Sequence, residues 1–103
     1  MDRVNPFEVF VKEKPEVVEA YQTLMKKINN NVLDKKTTQL IFIGIYSAMR
    51  EPGALRHHID EALKAGATKD EVETAALLPF TLGVSSAELS LPIILDLLTK
   101  DKH

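Results

Sequence analysis

Helix-breaking and helix-capping residues recur along the whole chain and divide it into short segments. Asn5 and Pro6 suit a cap and a first helical residue, and Pro15 opens the second segment in the same way. The asparagines Asn29–Asn31 close that segment. Between these signals, apolar residues recur at the three- and four-residue spacing of amphipathic helices. The pattern predicts an all-α fold of about six helices. In the second segment the predicted apolar face consists of Val17, Ala20, Tyr21, Leu24, Met25 and Ile28.

The third segment, Lys35–Arg50, follows Asp34, which suits the N-cap position of a helix. Its middle is apolar on all sides, so we expect it to be the central, buried helix of the protein. The alternation of Ile41, Ile43 and Ile45 would also fit a strand. The length of the segment and its capping signals favour the helix.

Two further helices are predicted in the middle of the chain. The stretch Ala54–Ala65 stops at Gly66, a residue that suits the left-handed turn after a helix. Thr68 and Glu71 have the spacing of a capping box, which predicts a helix from there to about Thr81.

The C-terminal stretch contains its own stop and start signals. Pro79 lacks a backbone donor and is expected to kink the end of the preceding helix, which Gly83 then ends. Ser85 and Glu88 have the spacing of a second capping box. We therefore expect a separate last helix that runs to about Thr99.

Composition limits the classes of protein to which the chain can belong. Its 103 residues suit one domain over residues 1–103, and 45% apolar with 27% charged residues is typical of globular proteins. A formal net charge of -2 provides no general attraction for nucleic acid, so no nucleic-acid partner is expected. The chain has no cysteine, which excludes disulfides, thiolate catalysis and cysteine-ligated metal sites.

The sequence also indicates whether the protein contacts a membrane, where it is located and whether it binds a cofactor. The longest apolar run, Leu40–Met49, is far shorter than the roughly 20 residues that span a bilayer. The N-terminus lacks the basic and then apolar pattern of a secretory signal. No glycine-rich phosphate loop and no paired-histidine metal spacing is present. We therefore expect a cytoplasmic protein without membrane contact, metal or cofactor.

Helical phase separates the adjacent histidines His57 and His58. Successive helical residues are rotated by about 100°, which places His58 at the edge of the apolar stripe that contains Leu55 and Ala62. The same rotation places His57 on the polar face, where we expect it to be solvated. His58 is then either a half-buried packing residue or a general acid/base, since histidine titrates near neutral pH.

Polar residues interrupt the apolar third segment. Gln39 and Tyr46 are seven residues apart and share one helix face. Such a face needs partners, because an unpaired buried polar group costs about 1–3 kcal/mol. The face serves either an internal network or subunit contact, or a pocket shared with His58. Arg50, at the end of the segment, suits either the C-terminal helix dipole or a carboxylate ligand.

Several spacings in the chain together match those of a known family. His58 lies eight residues before the helix-ending Gly66, and Thr68 and Glu71 follow, as in that family. Over roughly two thirds of its length the chain resembles the carboxymuconolactone decarboxylase family, which includes the alkylhydroperoxidase D-like proteins. The resemblance implies an all-α fold that assembles into homo-oligomers, trimers or hexamers, with the active site near subunit contacts. The matching stretches are Leu33–Ile45, Leu55–Val72 and Thr81–Leu95.

The chain departs from the peroxidase branch of that family. This branch uses a Cys-x-x-Cys-x-x-x-His motif and a glutamate in the buried helix. Glu51 and Ala54 stand at the positions of the two cysteines, and Gln39 stands at the position of the glutamate. Thiol-dependent peroxide reduction needs a thiolate and a resolving thiol. The resemblance therefore implies the fold of this branch without its mechanism.

The decarboxylase branch requires no cysteine. The resemblance implies a cofactor-free acid/base lyase that acts on a small organic acid or lactone. His58 and Gln39 would be its catalytic residues, and Tyr46 and Arg50 would bind the substrate. Two alternatives stay open. One is an antioxidant protein, of the alkylhydroperoxidase or peroxiredoxin type by family alone, and the other is a non-catalytic oligomer that binds a small molecule or serves as a scaffold.

Overall fold

A computed structural model describes residues 6–100, which are helical apart from short connections. No strand occurs within residues 6–100, and the predicted all-α fold is confirmed. The chain divides into two compact units, residues 1–34 and 35–103. The helices are α1 (Pro6–Glu13), α2 (Pro15–Asn29), α3 (Lys35–Met49), α4 (Pro52–Lys64), α5 (Lys69–Leu77) and α6 (Thr81–Lys100), with a 3₁₀ turn at Leu78–Phe80.

The first unit contains α1 and α2, which both begin at a proline. The asparagine run ends α2 as predicted. Asn30 adopts a left-handed φ of 47°, and its backbone N–H donates to the carbonyl oxygen of Lys26. Asn5, the predicted cap of α1, lies outside the described residues.

The side chain that α2 buries lies outside the predicted apolar face. Val18 is 4% exposed, whereas Val17, Tyr21, Leu24 and Ile28 are 44% to 65% exposed. The spacing of apolar residues shows which of them share a helix face, but it does not show whether that face is covered. The predicted apolar face of α2 is therefore open to solvent in the single chain.

In the second unit, α3 is the central helix and packs against both α4 and α5. Ile43 is fully buried and forms the core with Ala62 of α4 and with Val72 and Ala75 of α5. These contacts of Ile43 hold the three helices together.

The expectation that α3 is the central helix is confirmed, but the helix is only partly buried. Ile41 and Ile45 are 48% and 47% exposed, because α4 and α5 cover only part of the helix surface. A helix that is apolar on all sides is normally buried by other surfaces, and the single chain buries only part of α3.

Small residues let α3 and α5 approach each other closely. A Cβ atom on Gly44 would lie 3.3 Å from the carbonyl oxygen of Ala75. Near the end of α3, the Ser47 hydroxyl donates a 2.9 Å hydrogen bond to the carbonyl oxygen of Ala76. These contacts set the distance and the register between the two helices.

Local capping signals set both ends of α4. The helix begins at Pro52 rather than at the predicted Ala54, because the Glu51 side chain caps it by accepting a hydrogen bond from the Gly53 N–H. Gly66 follows the end of the helix with a φ of 94°, a conformation that side chains rarely adopt. The predicted stop at Gly66 is confirmed.

The predicted capping box at the start of α5 is confirmed, and it also joins α5 to α3. The Glu71 carboxylate accepts the Thr68 N–H at 2.8 Å, and the Thr68 hydroxyl accepts the Glu71 N–H at 3.1 Å. The other carboxylate oxygen of Glu71 accepts a 3.0 Å hydrogen bond from the Lys36 ammonium of α3. The Thr68 backbone and then the Lys36 ammonium lower the pKa of Glu71 from its ordinary value of 4.5.

The predicted break at Gly83 and the second capping box do not occur. Thr81–Lys100 is one helix that includes Gly83, Ser85 and Glu88. The hydroxyl of the neighbouring Ser86 donates to the carbonyl oxygen of Leu82, four residues earlier, at 2.9 Å. A serine inside a helix can bond back in this way, so its presence alone does not mark a helix start.

The helices α5 and α6 and the 3₁₀ turn between them form one continuous segment of 32 residues, Lys69–Lys100. Pro79 lies in the 3₁₀ turn, where tighter winding accommodates its ring. By length and composition the segment could cross a membrane, although no single apolar run in it is long, and none of its most apolar stretch is buried. Core helices of soluble proteins meet the same criteria, so this finding assigns no location.

Replacing Gly44 by leucine should destabilise the fold by about 1–3 kcal/mol, because the new side chain must displace the backbone of α5. The matched control is Gly83→Leu. A Cβ atom there meets nothing within 4 Å, and the change should stabilise α6 by roughly 0.5–1 kcal/mol. Urea unfolding followed by circular dichroism measures both, and equal midpoints for the two variants would contradict the packing described.

Replacing Glu71 by glutamine should reduce the loss of stability in acid. A carboxyl whose pKa is lower in the folded state stabilises the fold above its ordinary pKa, and this contribution is lost as the pH falls through the lowered value. The free energy of unfolding should therefore fall less steeply below about pH 4.5 in Glu71→Gln than in the parent chain. The control, Glu73→Gln, removes an exposed carboxylate from the same helix and leaves both contacts of Glu71 in place.

Candidate functional site

The structure places the two adjacent histidines as their helical phase predicts. His57 is exposed, and His58 is half-buried on the side of α4 that faces α3. Ala62 belongs to the core, and Leu55 packs against it. Because His58 lies on the helix face between these two residues, its ring is directed toward α3.

A short hydrogen bond joins His58 to Gln39 of α3. The distance from His58 Nδ1 to Gln39 Oε1 is 2.6 Å. A carboxamide oxygen can only accept, so Nδ1 carries the hydrogen. The other ring nitrogen, Nε2, is therefore a base when the ring is neutral and an acid when the ring is charged. Gln39 contacts the histidine and holds its orientation.

Two aromatic rings from the same face of α3 hold the imidazole in plane. The Phe42 ring stacks on His58 with centroids 4.5 Å apart and planes 18° apart. The Tyr46 ring lies 5.2 Å away and within 6° of parallel. We call His58, Gln39, Phe42 and Tyr46 the histidine cluster. Three of these four residues were predicted from the sequence.

Phe42 is the member of the cluster that was not predicted from the sequence. It follows Gln39 by three residues and precedes Tyr46 by four, and this spacing places all three on one helix face. The spacing was therefore a usable signal, but in a helix as apolar as α3 it does not distinguish Phe42 from the other apolar residues.

The surroundings of His58 lower its pKa from the ordinary value of 6.5. Burial is the largest cause, because it penalises the charged ring. The nearby His57 lowers the pKa further, and the Glu61 carboxylate partly opposes both by raising it. The neutral ring, with its hydrogen on Nδ1, is therefore favoured at neutral pH.

An ion pair borders the histidine cluster. The Lys35 ammonium lies 3.2 Å from the Glu61 carboxylate, which belongs to the turn of α4 after His58. The hydrogen bond from Lys35 lowers the pKa of Glu61 and keeps it ionised. The Glu61 side chain is only 25% exposed because it reaches Lys35.

Arg50 lies in the turn after α3 and has a left-handed φ of 56°. It is exposed, and its guanidinium forms no hydrogen bond or ion pair with the described residues 6–100. Within that same range, no group of three or more histidine, cysteine, aspartate or glutamate side chains is arranged to hold a metal ion.

An apolar groove of about 740 Å³ lies on the opposite face of α3 from the histidine cluster. Its walls come from α3, α5, the 3₁₀ turn and the first residues of α6, and they include Ile41, Ile45 and Leu78. Asp70 and Glu71 lie at one end. None of the four residues of the histidine cluster lines this groove.

Replacing Gln39 by glutamate should raise the pKa of His58 by about 1–3 units, because a carboxylate next to Nδ1 stabilises the charged ring. Nuclear magnetic resonance titration of the His58 ring measures the change. The control is Ser90→Glu, which adds the same charge at an exposed position of α6 in the same unit and should leave the midpoint within about 0.2 units. An unchanged midpoint in Gln39→Glu would show that the two side chains do not interact.

Comparison with known proteins identifies the family. The carboxymuconolactone decarboxylase family model matches residues 15–93, which extends beyond the helices of the cluster into α2 and α6. No curated protein and no solved structure was found to match the chain. The match covers most of the sequence and includes both helices that form the histidine cluster. The chain belongs to the carboxymuconolactone decarboxylase family.

Proposed function

We propose that the protein is a cofactor-free acid/base lyase that acts on a small organic acid or lactone. The observation that carries the proposal is the bond between His58 Nδ1 and Gln39 Oε1, which fixes the ring and leaves Nε2 for the substrate. Stacking on Phe42 and Tyr46 restrains the plane of the ring. A histidine held in this way has the fixed geometry that general acid/base catalysis requires.

Decarboxylation of a carboxy-lactone would use one proton from this histidine. The bond to the departing carboxylate breaks, and its electron pair moves into the carbon skeleton next to the lactone carbonyl. Nε2–H of the charged ring then protonates the carbon, and carbon dioxide leaves. The substrate carboxylate would itself favour the charged ring, because an opposite charge nearby raises the pKa of a histidine.

Tyr46 and Arg50 support binding of such a substrate. Tyr46 places a flat ring and a hydroxyl next to His58, and Arg50 follows it by four residues at the end of α3. Since the Arg50 guanidinium has no partner within residues 6–100, it is available for a carboxylate. Gln39 acts as a positioning residue for His58.

The proposal includes a homo-oligomer, a trimer or a hexamer, in the cytoplasm. A small domain with half-exposed apolar side chains on α2, α3 and α6 has more apolar surface than monomeric proteins usually expose. Formation of oligomers would cover part of this surface.

A non-catalytic binding protein is the second candidate, and the position of the apolar groove favours it. The groove lies away from His58, so a ligand bound there would not contact the histidine cluster. The antioxidant alternative gains no support, because the chain has no cysteine to supply either thiol.

Replacing His58 by alanine should reduce turnover at least 100-fold, in line with the contribution of a general acid/base. Carbon dioxide release from carboxymuconolactone, and from a panel of other small carboxy-lactones, measures the activity. His57→Ala is the matched control. The exposed His57 ring meets the His58 ring edge-on, with centroids 4.9 Å apart, and lowers its pKa, so its loss should shift the pH profile upward but keep the maximal activity within about threefold.

Circular dichroism and light scattering must show that both variants keep the fold and the assembly of the parent protein. Equal turnover in His58→Ala and the parent would eliminate the proposed mechanism. No turnover of any substrate by the parent protein would favour the binding protein instead.

A further inference from the structure

The last helix of the chain lacks cover along its whole length. Every residue of α6 is exposed, and within residues 6–100 its main packing contact is with the 3₁₀ turn that precedes it. The helix α3 lies beside α5 and this turn, and most of α6 extends beyond them. Nine aliphatic side chains of α6 are 48% to 67% exposed: Leu82, Val84, Leu89, Leu91, Ile93, Ile94, Leu95, Leu97 and Leu98.

The same unit contains a concave surface that is also uncovered. The apolar groove runs along α3 from Thr37 to Ala48, a distance of about 16 Å for helical residues. Its wall residues Ile41 and Ile45 are nearly half exposed. An apolar helix of about three turns would match the length of the groove and cover its walls.

We propose that the C-terminal half of α6 from a second copy of the chain occupies this groove. Residues Leu89–Lys100 form an apolar helix of about 18 Å, which matches the length of the groove. The chain thus carries both a convex and a concave apolar surface, and contact between copies would cover both.

Charge indicates the direction in which the helix enters. Asp70 and Glu71 lie at the end of the groove where α3 and α5 begin, and Asp70 has no ion pair within the described part of the chain. The last residue of α6 is Lys100, which is exposed and contacts Asp96 one turn earlier. An incoming α6 would place Lys100 next to Asp70 and would run antiparallel to α3. This direction also brings the negative end of the α6 dipole to the positive ends of α3 and α5.

The exposed apolar area is large enough for a stable contact. Seven of these nine side chains lie within Leu89–Lys100, and their exposed surface amounts to roughly 700 Å², close to the roughly 800 Å² that each partner buries in an interface of standard size. The second copy gains further contact through the groove walls. The area thus favours a specific assembly over a transient encounter.

A lipid bilayer fits α6 less well than a protein groove does. Glu88 and Asp96 lie within the helix, and each charge at the centre of a bilayer costs roughly 2.5–3.5 kcal/mol. At a contact between copies both carboxylates can stay on the solvent side of the occupying helix. The groove, moreover, offers a surface of matching length on the same chain.

This inference specifies the homo-oligomer of the proposed function, but it does not depend on the chemistry of His58. It predicts which residues of two copies lie close together. With Lys100 at the Asp70 end, Leu89 of one copy lies near Ala48 of the other, and Lys100 lies about 16 Å from that same Ala48.

Disulfide cross-linking tests the contact, because the chain has no cysteine of its own. Full-length Ala48→Cys and Leu89→Cys chains, with tags of different mass, are co-expressed and oxidised. Peptide mass spectrometry then counts the mixed disulfides. Since a disulfide requires Cα atoms within about 7 Å, we expect this pair to cross-link at least tenfold more than the matched pair Ala48→Cys and Lys100→Cys. All three replaced positions are exposed, so the fold of the single chain should persist.

Light scattering on the parent protein separates the possible outcomes. An assembly with the Ala48–Leu89 disulfide supports the proposal. An assembly in which that pair does not form, or in which the Ala48–Lys100 pair dominates, overturns the docking of α6 and leaves the proposed oligomer intact. A contact of this size should persist at about 50 μM, so a monomer at that concentration overturns both the docking of α6 and the proposed oligomer. Binding to vesicles of phosphatidylcholine and phosphatidylglycerol in place of self-association also overturns the docking. None of these measurements depends on turnover.

Discussion

The packing of α3 against both α4 and α5 determines where the functional groups of the second unit lie. Ile43 is fully buried between these helices and fixes the rotation of α3 about its own axis. With that rotation fixed, Gln39 and Tyr46 face His58, and Gly44 faces Ala75. One helix thus separates a polar, stacked site on one side from an apolar groove on the other.

Much of this arrangement follows from the sequence because it depends on periodicity alone. The seven-residue spacing of Gln39 and Tyr46 and the phase of His58 relative to Leu55 predict which side chains share a face. The capping box at Thr68 is likewise a local signal, and it fixes the start of α5. The distance between Gln39 and His58 could not be predicted in this way, because it depends on how closely α3 and α4 pack.

Other features could not be predicted because their signals are ambiguous or depend on other parts of the structure. Ser85 and Glu88 have the spacing of a capping box, but the preceding residues are already helical and the helix simply continues. The apolar faces of α2 and α6 indicate that another surface packs on them, but they do not show whether that surface belongs to the same chain. Stacking of Phe42 on His58 depends on the packing of two helices, and the sequence of one helix does not contain it.

The amide at position 39 limits how much charge the histidine cluster can hold. A carboxylate next to His58 would form a pair with two ionisable members, which could share or lose protons together. Gln39 accepts from Nδ1–H whether the ring is neutral or charged, so the ring keeps its orientation when it titrates. Besides the hydroxyl proton of Tyr46, the cluster therefore holds one exchangeable proton per chain, that of the imidazole. Any reaction at this site that moves two protons must take the second from Tyr46, from the solvent or from the substrate.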